Sequence, residues 1–74
     1  MTSREREIYS VVEELNGAPP SVIGAKMGIS SDYAEQLCRD MTWYGWFIKD
    51  GLKYKLNPRK KFEPNPRKQE IQET

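Results

Sequence analysis

The sequence predicts a small, mostly helical α+β domain in which three helices precede a two-stranded β-hairpin. Three segments carry apolar residues at the three- and four-residue steps of a helix, and each ends at a glycine or an asparagine–glycine pair. A fourth segment surrounds Asp50-Gly51, a favoured pair for a tight hairpin turn. Because the chain has 74 residues, there is room for one such domain with a thin core.

The first helix is expected from about Ser3 to Leu15. Thr2, followed three residues later by Glu5, fits a capping box, in which each side chain accepts a hydrogen bond from the other residue's backbone N–H. Asn16-Gly17 then ends the helix, because both residues tolerate the left-handed conformation that closes a helix. The apolar face of this helix consists of Ile8, Val11, Val12 and Leu15.

Two further helices follow after a short extended connector, Ala18-Pro19-Pro20. The second is expected from about Pro20 to Met27, with proline in the first turn, where its missing N–H costs nothing. The third is expected from the N-cap Ser30 to about Trp43 or Tyr44. The apolar residues assigned to the second helix are Val22, Ile23 and Met27, and those assigned to the third are Ala34, Leu37, Cys38, Met41 and Tyr44.

The hairpin is expected from residue 46 to residue 56. With Asp50-Gly51 as the two central residues of its turn, Phe47 would lie opposite Tyr54 on the inward face and Ile48 would face outward, opposite Lys53. Alternation with lysine predicts one buried face of the second strand, and that face consists of Leu52, Tyr54 and Leu56.

Charge divides the chain into a nearly neutral body and a basic tail. Residues 1–56 hold seven bases and eight acids, whereas residues 57–74 hold five bases and three acids. Asn-Pro-Arg-Lys occurs at 57–60 and again at 65–68, too short an echo to be a structural repeat. We therefore predict a folded domain over residues 1–57 and a flexible basic tail over residues 58–74.

Composition argues against several function classes. The chain has no histidine and a single cysteine, Cys38, so neither a zinc site, nor histidine acid–base chemistry, nor an internal disulfide is expected. Cys38 falls on an apolar helix face and is predicted to be a buried small hydrophobe. We expect no enzyme activity, no cofactor and no small-molecule ligand. Without a long apolar run or a signal peptide, a cytoplasmic protein that does not contact membranes is predicted.

The central segment has the pattern of a helix-turn-helix, in which a small turn lets the second helix enter a DNA groove. Gly24 would allow close packing of the two helices, and Gly28 would form the turn between them. Ile29, in the turn, would pack its side chain into the core. The residues that carry this pattern are Ile23-Gly24-Ala25-Lys26-Met27-Gly28-Ile29-Ser30, then Ala34, Cys38, Met41 and Gly45-Trp46-Phe47.

This pattern resembles the winged helix-turn-helix superfamily, in particular small bacterial and archaeal regulators of the MarR and ArsR kind. Gly45-Trp46-Phe47-Ile48 stands where those proteins usually carry Gly-Leu-Ile or Gly-Leu-Val, and the resemblance covers about residues 4–57. It implies a DNA-binding protein, a small transcriptional regulator that inserts helix 31–44 in the major groove of double-stranded DNA and lays the 46–56 wing on the backbone.

The resemblance also implies which side chains meet DNA. Gln36 would read adenine, Arg39 would reach guanine or a phosphate, and serine and tyrosine hydroxyls would bond phosphates. The DNA-binding candidates are Ser30, Ser31, Asp32, Tyr33, Glu35, Gln36, Arg39, Lys49, Lys53 and Lys55. The tail candidates for backbone contact are Arg59, Lys60 and Lys61, which otherwise serve only to solubilise the tail.

Other interpretations stay open. Asp32, Glu35 and Asp40 also lie on the third helix and would repel phosphates, so the alternative function is a winged-helix protein–protein interaction module, with a protein partner or a homodimer. The wing lysines are equally explained as residues that protect an edge strand from aggregation. Tyr44 and Phe47 are expected in the core, whereas Trp43 falls off the inward stripe, where it would mark a partner surface or stack on unpaired bases.

Overall fold

The predicted architecture is confirmed by a computed structural model, which describes residues 1–61 of the chain. Three helices are followed by a two-stranded antiparallel hairpin, which is the layout of a winged helix-turn-helix domain. The part of the predicted tail beyond residue 61 lies outside the described residues. The elements are α1 (Ser3–Leu15), α2 (Pro20–Met27), α3 (Ser31–Trp43), β1 (Phe47–Asp50) and β2 (Lys53–Leu56).

Local capping sets the ends of α1. The Thr2 hydroxyl accepts a hydrogen bond from the Glu5 backbone N–H at 3.1 Å, and a Glu5 carboxylate oxygen accepts one from the Thr2 N–H at 3.0 Å. At the other end Asn16 adopts the left-handed conformation, with φ of 58°. Both signals depend on residues that are close in sequence, which is why the predicted bounds agree with the structure.

The turn between α2 and α3 is tight. Gly28 ends α2 at φ of 76°, a conformation that L side chains rarely adopt, and the Ser30 hydroxyl caps α3 by accepting from the Tyr33 N–H at 3.1 Å. A Cβ on Gly24 would lie 2.9 Å from the Ile29 carbonyl oxygen. The absence of a side chain at position 24 therefore allows the backbone of the turn to pack directly against α2.

The core collects residues from every element, and its largest fully buried side chains include Phe47, Ile8 and Ile23. Sequence patterning missed Tyr9, which is buried beside Trp46 (ring centroids 6.0 Å apart) and Phe47 (6.3 Å). The buried hydrophobic residues are Ile8, Tyr9, Val11, Val12, Ala18, Ile23, Ala34, Leu37, Cys38, Met41, Phe47 and Tyr54.

Two predicted core positions were wrong. Val22 is 46% exposed because α2 packs through Ile23 and Gly24, one residue further round the helix. Tyr44 is 52% exposed as the C-cap of α3, and the chain turns away from the helix at the next residue, Gly45, which has φ of 90°. Tyr44 and Phe47 were both expected in the core, but only Phe47 is buried there.

The predicted hairpin register was also wrong. Phe47 lies opposite Leu56 instead of Tyr54, and Asp50 pairs with Lys53, so the turn residues are Gly51 and Leu52. Gly51 has φ of 65° and Leu52 does not, as in a type II′ turn, which requires positive φ only at its first central position. Asp50 therefore avoids the left-handed conformation that an Asp-Gly turn would impose on it.

The corrected register changes partners but keeps the faces. The shift is by two residues, so Phe47 still faces inward, and Ile48 still faces outward although its partner is Lys55 instead of Lys53. Leu52, expected on the buried face, instead occupies the turn and is 82% exposed.

The connector before α2 attaches to the hairpin. The Ala18 N–H donates to the Tyr54 carbonyl at 3.1 Å, and the Tyr54 N–H donates to the Ala18 carbonyl at 2.9 Å. β2 is consequently paired on both of its edges at Tyr54, with Lys49 of β1 on the opposite side. This bridge connects the wing to the segment between α1 and α2.

None of the three helices within residues 1–61 combines the length and apolar character needed to cross a bilayer. The same residues contain no cluster of three or more histidine, cysteine or carboxylate side chains arranged to hold a metal ion.

Candidate nucleic-acid interface

The exposed face of α3 and the wing border a common groove. This groove has a volume of about 240 Å³ and is lined by Glu35 of α3 and by Lys49 and Leu52 of the wing. Pro19, Pro20 and Tyr54 complete its lining. The structure therefore brings the N-terminal half of α3 and the lysine-bearing hairpin together, as a DNA-binding surface requires.

The polar side chains of α3 point to solvent but are paired with one another. A Gln36 Nε2 hydrogen is donated to Asp40 at 3.1 Å, and the Arg39 guanidinium lies 3.3 Å from a Glu35 carboxylate oxygen. Asp32 is exposed at the first turn of the helix. With three carboxylates and one arginine, the exposed face of α3 carries a net charge of −2.

Residues at the start of α3 are also accessible. Ser30 and Ser31 are exposed, although the Ser30 hydroxyl is engaged as the cap of the helix. Tyr33 is exposed, and the guanidinium carbon of Arg4 lies 5.8 Å from the centre of its ring. Arg4 also pairs with Glu7 at 2.9 Å, so α1 presents a cation beside this end of α3.

The wing is the basic half of the surface. Lys55 pairs with Asp50 at 3.2 Å, and the Lys49 ammonium lies 5.5 Å from the centre of the Tyr54 ring. Within residues 1–61 no side-chain hydrogen bond or ion pair involves Lys53, which is exposed. Three lysines against one aspartate give the hairpin a net charge of +2.

The first residues of the predicted tail fold back onto the end of α3, away from the groove. The Asn57 amide donates to the Gly45 carbonyl at 2.9 Å, and its oxygen accepts from the Arg59 N–H at 3.0 Å. The Lys60 ammonium donates to the Tyr44 carbonyl at 2.7 Å and lies 4.4 Å from the centre of the Trp46 ring. Lys60 thus stabilises the carboxyl end of α3, which has no base in its own last turn.

Arg59 and Lys61 are exposed near the same end of α3. The three tail candidates are therefore at the opposite end of the helix from Ser30, Ser31 and Asp32. Sequence patterning had one signal for this arrangement, the absence of a base in the last turn of α3, but a partner sixteen residues beyond Tyr44 is invisible to local rules.

Two large apolar side chains stand out on the surface. Trp43, predicted to be off the inward stripe, is 86% exposed. Leu52 at the wing tip was missed, because the predicted register placed it on the buried face. An exposed tryptophan or leucine gains free energy when it leaves water, so these two side chains are the candidates for contact with a partner.

The one cysteine behaves as predicted. Cys38 is fully buried on the inner face of α3. Burial, and secondarily the nearby Glu35 carboxylate, raise the pKa of its thiol from 9.0 to about 12. The thiol is therefore protonated at neutral pH and is a packing group, not a nucleophile.

Comparisons of this chain with models of known protein families, with curated proteins and with solved structures found no match.

Proposed function

We propose that this chain is a DNA-binding protein of the winged-helix type, acting as a small transcriptional regulator. The N-terminal half of α3 would enter the major groove of double-stranded DNA, and the wing would lie on the adjacent backbone. The observation that supports this proposal is the shared groove, because Glu35 in the N-terminal half of α3 and Lys49 of the wing line it together.

The side-chain pairs on α3 do not prevent base contacts. Exposed pairs one helical turn apart, like Gln36 with Asp40 and Glu35 with Arg39, each stabilise a helix by only about 0.2–0.5 kcal/mol. A bidentate contact from glutamine to adenine or from arginine to guanine contributes about 1–3 kcal/mol of discrimination. Exchanging the internal pair for a base contact is therefore favourable where the base matches.

The α3 face is net negative and the wing is net positive, so the two parts of the surface have different roles in the proposal. The net negative α3 face repels phosphates and weakens non-specific binding, so affinity for the backbone has to come from the wing lysines. The proposal therefore assigns salt-dependent affinity to Lys49 and Lys53 and sequence preference to Gln36 and Arg39.

The test is a fluorescence anisotropy titration of the full chain with random duplex DNA at several salt concentrations. Replacing Lys49 and Lys53 by alanine should lower the slope of log affinity against log salt by about two, one unit per lost phosphate contact. The matched control is Lys26→Ala, which removes one exposed charge that pairs with Glu14 at 3.3 Å between α1 and α2.

A second variant tests whether α3 contacts the bases. Replacing Gln36 and Arg39 by alanine should weaken binding to the preferred sequence, selected from a random duplex pool, more than binding to the bulk pool. An unchanged salt slope in the wing variant, or no duplex binding by the full chain at low salt, would contradict the proposal.

A protein–protein interaction module is the second candidate, favoured by the acidic α3 face and by the exposed Trp43 and Leu52. Under this alternative the paired Gln36 and Arg39 are only surface residues. Two results together would support this alternative. The folded chain would not bind duplex DNA at low salt, and it would form a homodimer or a complex with a purified partner that is lost in Leu52→Ala.

A further inference from the structure

A second surface lies at the carboxyl end of α3, apart from the groove. It combines two exposed aromatic rings with a run of three bases, and we name it the aromatic–basic patch. Its members are Trp43, Tyr44, Arg59, Lys60 and Lys61. The proposed duplex-binding surface uses the other end of α3 and the wing, so the patch has no part in that function.

The bases are held at the helix end by specific contacts. The hydrogen bonds from Asn57 to the Gly45 carbonyl (2.9 Å) and from Lys60 to the Tyr44 carbonyl (2.7 Å) fix the 57–60 turn against the two residues that follow α3. A backbone bond from the Lys60 N–H to the Asn57 carbonyl (3.1 Å) closes that turn. Arg59 and Lys61, on either side of the anchored Lys60, are left exposed.

We propose that the aromatic–basic patch binds single-stranded nucleic acid. A base would stack on the indole of Trp43, which is 86% exposed, while Arg59 and Lys61 would contact the neighbouring phosphates. Trp43 directly precedes Tyr44, whose carbonyl binds Lys60, so the exposed indole and the three bases share this end of α3. An open aromatic ring combined with cations on one surface is how proteins hold unpaired strands without reading their sequence. Lys60 is a positioning residue in this arrangement, because its ammonium is already bonded to Tyr44.

The charge around the patch favours a nucleic acid over an apolar protein partner. Two carboxylates lie nearby: Asp40, one turn before Tyr44 on α3, and Glu5, which shares a surface pocket with Tyr44 and Lys60. Asp40 accepts a hydrogen bond from Gln36 and Glu5 accepts one from the Thr2 N–H. Three bases against these two acids leave the patch positive by one charge, and a duplex would not offer its bases for stacking.

The test uses the full chain and a fluorescein-labelled oligothymidylate of twenty nucleotides in anisotropy titrations. Trp43→Ala should weaken binding about tenfold, because losing one base stack on an aromatic ring costs about that much. The matched control is Leu52→Ala, which removes an equally exposed apolar side chain at the wing tip and should leave this affinity unchanged. Changing Arg59 and Lys61 to alanine should flatten the salt dependence.

A spectroscopic readout locates the base. In the Trp46→Phe variant Trp43 is the remaining tryptophan, and its fluorescence should be quenched on addition of oligothymidylate. Equal affinity of Trp43→Ala and the native chain, or no quenching, would overturn the proposal. So would a homodimer that dissociates in Trp43→Ala, because a second copy would then cover the patch.

The two proposals fail separately. The Lys49 and Lys53 variant is expected to change duplex binding alone, whereas Trp43→Ala is expected to change single-strand binding alone.

Discussion

Changing Gly24 to alanine should destabilise the domain although alanine is the better helix former. The added Cβ would lie 2.9 Å from the Ile29 carbonyl oxygen and 3.1 Å from the Ser30 carbonyl oxygen. Both atoms are backbone in a tight turn, so the clash cannot be relieved by rotating a side chain. Relief requires the turn between α2 and α3 to move.

The two contributions can be separated. Glycine to alanine inside a helix gains about 1 kcal/mol through propensity, and overpacking typically costs about 1–3 kcal/mol. With two backbone oxygens in contact we place the cost near the upper end, which leaves a net loss of about 1–2 kcal/mol. A domain of this size has a total stability of only about 3–9 kcal/mol. The melting temperature should therefore fall by roughly 4–16 °C.

Urea unfolding followed by far-UV circular dichroism measures this change, with Ala25→Gly as the matched control. Ala25 is the next residue of α2 and is exposed, so its replacement by glycine reports helix propensity alone, at about 1 kcal/mol. Adding that propensity value to the measured loss for Gly24→Ala gives the steric cost. A raised urea midpoint for Gly24→Ala would refute the close approach of the turn to α2.

Three further outcomes are expected. Because the pKa of the Cys38 thiol is raised from 9.0 to about 12, the thiol ionises in the unfolded state but not in the folded state between these two values, and stability is lost as the pH rises; the advantage of the native chain over Cys38→Ala in urea unfolding should fall with pH in that interval, by up to about 1.4 kcal/mol per pH unit, and a constant difference would contradict the burial. Thr2→Ala should cost about 1 kcal/mol by removing the cap of α1, with Ser3→Ala as the neutral comparison in thermal unfolding. Asn57→Ala should cost about 1 kcal/mol and speed amide exchange at Arg59, since both side-chain hydrogen bonds of Asn57 are lost; unchanged exchange at Arg59 would argue against the turn.

The helices were predictable because their boundaries depend on neighbours in sequence. Thr2, Asn16, Gly28 and Ser30 each act within four residues of their position, and all of them take the predicted roles. The failures occur where a choice depends on contacts that are distant in sequence. The apolar face predicted for α1 left out Tyr9, which is buried because its ring packs against Trp46 and Phe47.

The hairpin failed for a different reason. Asp50-Gly51 and Gly51-Leu52 both supply a glycine to a two-residue turn, and both keep Phe47 on the inward face. The alternation of inward- and outward-facing residues therefore cannot distinguish the two registers. Pairing of Tyr54 with Ala18 is a contact across 36 residues of sequence, which no short-range rule detects.

For the candidate site, the sequence located the exposed face of α3 and the wing lysines. It did not show that Gln36 and Arg39 are paired with carboxylates, because those pairs depend on which side chains rotate toward each other. It also assigned Lys60 to a tail, whereas the Tyr44 carbonyl and the Trp46 ring bind its ammonium.

The backbone bridge between Ala18 and Tyr54 has a mechanical consequence for the hairpin. At Tyr54 the second strand is held from both edges, so this level of the ribbon should move together with the helical body. Bending should then be confined to the four residues from 50 to 53 at the tip of the hairpin. Among the described residues, these four pair only within the hairpin and with no further strand. Lys53 is consequently the wing lysine best able to adjust to an irregular surface, while Lys49 keeps a set distance from α3.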